Sequence, residues 1–115
     1  MKNIMVVDDE PLMLKTMNMM LSTLYNLDLF LSSVEALDAF ALDQNKYDLV
    51  ITDFRMSDIN GVELIKAILK IKDTTNVAIM TGMGNLYLPD NICVIPKPCT
   101  KKELVSLIES IIQKG

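Results

Sequence analysis

A chain of 115 residues, 50% apolar and 23% charged, has the length and composition of one folded domain and is too apolar to stay disordered. Eleven basic against fifteen acidic residues leave a net charge of −4. Arg55 is the sole arginine, and only Lys66, Lys70 and Lys72 approach a basic cluster, so direct nucleic-acid binding is not expected. Histidine is absent, which removes Ser-His-Asp and Cys-His catalysis and imidazole-bound zinc. Cys93 and Cys99 are too few for a disulfide framework and read as packed or half-exposed thiols.

Asn3–Asp8 is a short apolar run closed by acids, which predicts a buried strand. The same acids rule out a signal-peptide core, and no apolar run approaches the roughly 18 residues that span a bilayer. A cytoplasmic chain with no membrane partner is the expectation. Pro11 suits a first helical turn, and Leu14, Met17, Leu21 and Leu24 mark a helical stripe over Leu12–Leu24. Met13, Met17, Met19 and Met20 read chiefly as core filling, with an adaptable partner surface as the other reading. A second strand is predicted over Leu27–Leu31. Ser32 and Glu35 form a capping box that opens a helix through Ala36, Leu37, Phe40 and Ala41.

The third strand, Asp48–Thr52, ends at Asp53. Past a loop holding Met56, Ser57 and Asn60-Gly61, a helix runs from about Val62 to Ile71 with Leu64, Ile65, Ile68 and Leu69 inward. Val77–Met80 and Ile92–Ile95 are the last strands, ending at Thr81 and near Lys97. Thr100 and Glu103 form another capping box, before a stripe of Leu104, Leu107, Ile108, Ile111 and Ile112. Continuous apolar strands alternating with helices predict a parallel sheet covered on both faces, a doubly wound α/β fold. Ligands of such sheets sit beyond the carboxyl ends of the strands.

The polar residues gather at that edge: Asp8 and Asp9, Asp53, Thr81 and Lys97. Crowded carboxylates call for a cation, and Mg²⁺ fits because it accepts a few carboxylates and keeps waters that a phosphate can displace. With Lys97 and Thr81 the cluster would cradle a phosphoryl group.

These residues give the chain a resemblance to the receiver domain of two-component response regulators. It is carried by Val6-Val7-Asp8-Asp9-Glu10-Pro11, Asp53-Phe54-Arg55-Met56-Ser57-Asp58-Ile59-Asn60-Gly61, Met80-Thr81-Gly82 and Pro96-Lys97-Pro98, and it extends over the whole chain, residues 1–115, as one receiver domain. The resemblance implies a flavodoxin-like strand order 2-1-3-4-5. It implies Asp53 as phosphoacceptor from a sensor histidine kinase or phosphotransfer protein. Asp9 would ligate Mg²⁺ directly, Asp8 through water, and the backbone carbonyl of Arg55 would complete the set with Asp53. Lys97, Thr81 and the Gly82 N–H would meet the phosphoryl oxygens. A downstream protein or a second copy would read the signal, and no external substrate would be turned over.

Three departures stand out. Ser57 replaces the proline usual after the methionine, and Val94 replaces the aromatic switch residue that would partner Thr81. Only the ten residues Gly82–Asn91 separate the last two strands. A helical crossover needs at least about 10–12, so the family's fourth helix is predicted to be shortened or missing, with at most a turn near Asn85–Leu88. Leu86, Tyr87 and Leu88 would then fold over the uncovered surface, and signalling would leave through the first or last helix. The alternative is a degenerate receiver that acts as an interaction module without phosphorylation. For Arg55, shielding of the phosphoryl group and pairing with Asp58 both remain open.

Overall fold

The apolar runs become strands and the amphipathic stripes become helices, in strict alternation up to the fourth strand. The computed structural model describes residues 1–82, 88 and 92–114. Along the chain lie β1 (Asn3–Val7), α1 (Pro11–Leu21), β2 (Asn26–Phe30), α2 (Ser33–Leu42), β3 (Leu49–Asp53), α3 (Gly61–Ile71), β4 (Val77–Thr81), β5 (Cys93–Pro96) and α4 (Lys101–Lys114). The strands form one parallel sheet in the order β2-β1-β3-β4-β5. This is the doubly wound, flavodoxin-like architecture with the expected strand order. The expected turn at Asn85–Leu88 and the placement of Leu86 and Tyr87 lie outside the described residues. Leu88 itself packs against the α2–α3 side of the core.

Alternation along each strand divides the core in two. Ile4, Val6, Leu49, Ile51, Ala78, Met80 and Ile95 point to the face covered by α1 and α4. Met5, Val7, Val50, Val77 and Ile79 point to the face covered by α2 and α3. β1, β3 and β4 carry apolar residues on both faces because helices cover both, as parallel sheets require.

Helix ends account for most differences from the expected boundaries. α1 stops at Leu21, where Ser22 donates its N–H to Asn18 O. Leu24 therefore falls in the turn and is exposed, while Tyr25 takes the inward place. Ala41, expected inward, also faces solvent, one residue beyond the buried Phe40. The methionines of α1 are mostly core: Met17 is buried, Met13 and Met20 pack against it, and Met19 is exposed. The Thr100–Glu103 box closes in both directions, with Thr100 N donating to Glu103 Oε1 at 2.9 Å and Glu103 N to Thr100 Oγ1 at 3.1 Å.

α2 is capped less simply. Glu35 N donates to Ser32 Oγ at 3.2 Å, but the remaining amides turn to Asp58, in the loop after β3. Its carboxylate accepts from Ser33 N at 3.3 Å, Val34 N at 3.1 Å and the Ser32 hydroxyl at 2.8 Å. Ser33 Oγ adds a 2.8 Å bond to Ile59 O. The loop that follows β3 is thus stapled to the start of α2. Of the two readings for Arg55 and Asp58, the carboxylate's hydrogen bonds go to α2.

Candidate functional site

Sheet register sets the site. Val7 pairs with Thr52, so the next residues, Asp8 and Asp53, come level at the carboxyl edge. Asp53 pairs with Met80, and Thr81 with Pro96, which brings Thr81 and Lys97 to the same rim. The three carboxylates of Asp8, Asp9 and Asp53 each present an oxygen within 4.8 Å of the others. Lys97 Nζ lies 2.8 Å from Asp53 Oδ1 and 3.4 Å from Asp8 Oδ2.

Burial grades these groups. Asp8 is buried, Asp53 and Lys97 are half-buried, and Asp9 is exposed. Burial raises the Asp8 carboxyl above the usual range and the Asp53 charge adds to this, against the Glu10 amide and the Lys97 ammonium, which lower it. Burial alone would lower the Lys97 ammonium, but its hydrogen bond to Asp53 and the charges of Asp8 and Asp53 carry it upward. Asp8 is held by a further bond, its Oδ1 accepting the Glu10 N–H at 3.0 Å. Asp9 Oδ2 accepts the backbone N–H of Ser57 at 3.0 Å.

The site needs a close backbone approach behind Asp53. A Cβ at Gly61 would collide with the carbonyl of Asp53 and come within 3.1 Å of Phe54 Cα. Only glycine lets the first turn of α3 sit there, with its N–H donating to Phe54 O at 2.9 Å. At Gly82 a Cβ would meet Lys97 O at 3.4 Å, so this position favours a small residue less stringently. Arg55 is exposed on the loop after β3.

Asp8, Asp9, Asp53, Thr81, Gly82 and Lys97 therefore share one rim. Val94 does not join it. It sits within β5, paired with Ile79 and exposed. Two features escaped the sequence reading. The Ser57 N–H is a backbone donor with no residue-type signal. Asn60, read as a turn residue, caps α3 by accepting Glu63 N at 2.9 Å, and the Asn-x-x-Glu spacing signals it.

Hard oxygen donors at this spacing suit a small divalent cation, and an aspartate facing a lysine across a strand-end crevice suits phosphate chemistry. The family model described as "Response regulator receiver domain" matches residues 4–109. The chain belongs to that family. A response regulator receiver domain from Clostridium thermocellum is 30% identical and superposes with a TM-score of 0.88, covering 99% of this chain and 96% of that one. The signal receiver domain of an HD domain-containing protein from Pseudomonas fluorescens Pf-5, at 24% identity and a TM-score of 0.86, shares the fold over 98% and 95% of the two chains. Among curated relatives, the transcriptional regulatory protein GlrR of Escherichia coli K12 is 29% identical over 98% of this receiver chain. FixJ of Bradyrhizobium diazoefficiens USDA 110 is also 29% identical over 98%. The chain spans 27% of GlrR and 58% of FixJ. Among the described residues, no helix of this receiver is long and apolar enough to cross a membrane.

Proposed function

We propose that Asp53 accepts a phosphoryl group from phosphohistidine of a sensor kinase or phosphotransfer protein, and that residues 1–115 work as one receiver unit. The observation that carries this reading is the convergence of Lys97 Nζ, at 2.8 Å, and two further carboxylates on Asp53 at the open edge of the sheet. Asp8, Asp9, Asp53 and the backbone carbonyl of Arg55 would hold Mg²⁺, which supplies charge neutralisation for the incoming phosphoryl group. A free carboxylate oxygen of Asp53 attacks phosphorus, the O–P bond forms, and the P–N bond to the donor imidazole breaks. The imidazole leaves with that electron pair and is protonated from solvent. Lys97 keeps its ammonium beside the new negative charge, Thr81 offers its hydroxyl, and Gly82 leaves its N–H accessible to a phosphoryl oxygen. The product is a protein-bound acyl phosphate that slow hydrolysis returns to Asp53, so the chain acts as a switch and not as a turnover enzyme. A downstream protein or a second copy would read it, in the cytoplasm.

Incubation with Mg²⁺ and acetyl phosphate, read by intact mass, should add one phosphoryl group to the wild type and none to Asp53→Asn. Labelling of Asp53→Asn at the wild-type level refutes the assignment. A wild type that folds and binds partners but never labels supports the phosphorylation-independent interaction module instead.

A further inference from the structure

We propose that the outer edge of β2 docks a second copy of this chain, the two β2 strands pairing antiparallel about a twofold axis at Leu29. The inference does not depend on the phosphoryl reading. β2 and β5 are the outer strands of the sheet. On β2, Asn26 donates its N–H to Lys2 O and Phe30 O accepts from Asp8 N, so both residues turn their backbone groups to β1. These groups alternate in direction along a strand. Those of Leu27 and Leu29 therefore point away from the sheet.

Strand edges are normally blunted by proline, by lysine or by shortness. β5 follows that rule. Lys97 N donates to Thr81 O, so the same alternation turns Val94 and Pro96 outward, and Pro96 has no N–H to offer. β2, with the sequence Asn-Leu-Asp-Leu-Phe, has neither proline nor lysine. Its one charge is satisfied within the chain, the Asp28 carboxylate accepting from Lys46 Nζ at 2.8 Å and from the Tyr47 hydroxyl at 2.7 Å. Apolar side chains are exposed along the same stretch. Leu24 just before the strand, Leu29 within it, Leu31 just after it and Val34 at the start of α2 are 43, 37, 49 and 45% exposed.

The strand is complementary to itself. Centred on Leu29, the pairing sets Leu29 against Leu29 of the second copy, Leu27 against Leu31, and Asp28 against Phe30. No acid then meets an acid, whereas centring on Asp28 would set two carboxylates face to face. The twofold axis stands perpendicular to the sheet, so the contact is the same on both copies and closes at two. It joins two five-stranded sheets into one. Leu27 packs on the α1–α4 side of the core and Leu29 shares that face, so leucines of both copies meet there and leave water together.

Sedimentation equilibrium of the full chain, with NMR amide exchange at low and high protein concentration, tests this. The wild type should dimerise, and exchange at Leu27 and Leu29 should slow as concentration rises, while Val94 on the opposite edge is unaffected. Leu29→Lys sets an ammonium against its own copy at the axis and should weaken dimerisation at least about tenfold. Circular dichroism checks its fold. Should it fail to fold, Leu31→Lys, which lies outside the strand, decides in the same way. A wild type that stays monomeric at NMR concentration overturns the proposal, even if the edge captures some other protein's strand. A dimer that the folded lysine variant leaves unweakened overturns it as well. So does a dimer in which exchange slows elsewhere but not at Leu27 and Leu29, since the contact would then use another surface.

Discussion

Lys97 touches Asp8 and Asp53 together, and its ammonium is the countercharge that lets a buried Asp8 stand near a second carboxylate. Lys97→Ala should fold, because the strands that carry the site are held by apolar packing on both faces. It should lose about 1–3 kcal/mol, since a charge-assisted bond disappears and two carboxylates are left facing each other. Mg²⁺ should restore part of that loss by supplying the missing positive charge. Urea denaturation with and without Mg²⁺ measures both effects. In labelled protein, the amide shifts at Thr81 and Gly82 that follow phosphorylation of the wild type should be absent. An unfolded Lys97→Ala would make the lysine structural. At this scale the site was legible in the sequence, because acids, a threonine and a lysine each closed a separate apolar run. What stayed hidden were groups without a residue signature, the Ser57 amide above all. Asp58 was visible only as a neighbour of Arg55, since its partners lie about 25 residues upstream and only the fold brings them near.

Among the elements, α2 depends on a residue outside itself. Ser32 satisfies one amide of its first turn, and Asp58 satisfies two more. Burial is the largest single influence on Asp58 and opposes its ionisation, but bonds from the Val34 amide, the Ser32 hydroxyl and further amides together outweigh it and hold the carboxyl well below its usual range. Asp58→Ala should cost about 1 kcal/mol, the usual worth of a lost helix cap. A carboxyl lowered on folding stabilises above its unfolded pKa, near 3.9, and loses that contribution as pH falls toward the folded value. The stability gap between wild type and Asp58→Ala should therefore be constant near neutrality and shrink below about pH 4. Urea titrations at neutral and acid pH test this, and a gap that does not narrow would show that the cap acts without its charge. Helix ends were also where the stripes misled. A 3.6-residue period places Leu24 inward only if the helix continues, and α1 had already ended in the Ser22 turn, whereas Ala41 lies within the last turn of α2 on its solvent side, next to the buried Phe40.

For the molecule as a whole, any cation bound only by the folded state stabilises it by mass action. At a hundredfold excess over the dissociation constant the gain is about 2.7 kcal/mol. Mg²⁺ should thus raise the melting temperature of the wild type measurably, and that of Asp9→Ala far less. Equal shifts in both would mean that the ion acts elsewhere. The alternation of apolar runs with amphipathic stripes made the architecture legible, whereas strand order came through family resemblance, because apolar runs do not state which neighbour they choose. That order has a bearing on how the chain is made. Once β1 and β2 have emerged and paired, β3 adds beside β1, β4 beside β3 and β5 beside β4. From β3 onward the sheet lengthens at one side only, in the sequence in which a ribosome delivers it. No strand has to be threaded between two that are already joined, so each nascent stretch finds an open edge waiting as it appears.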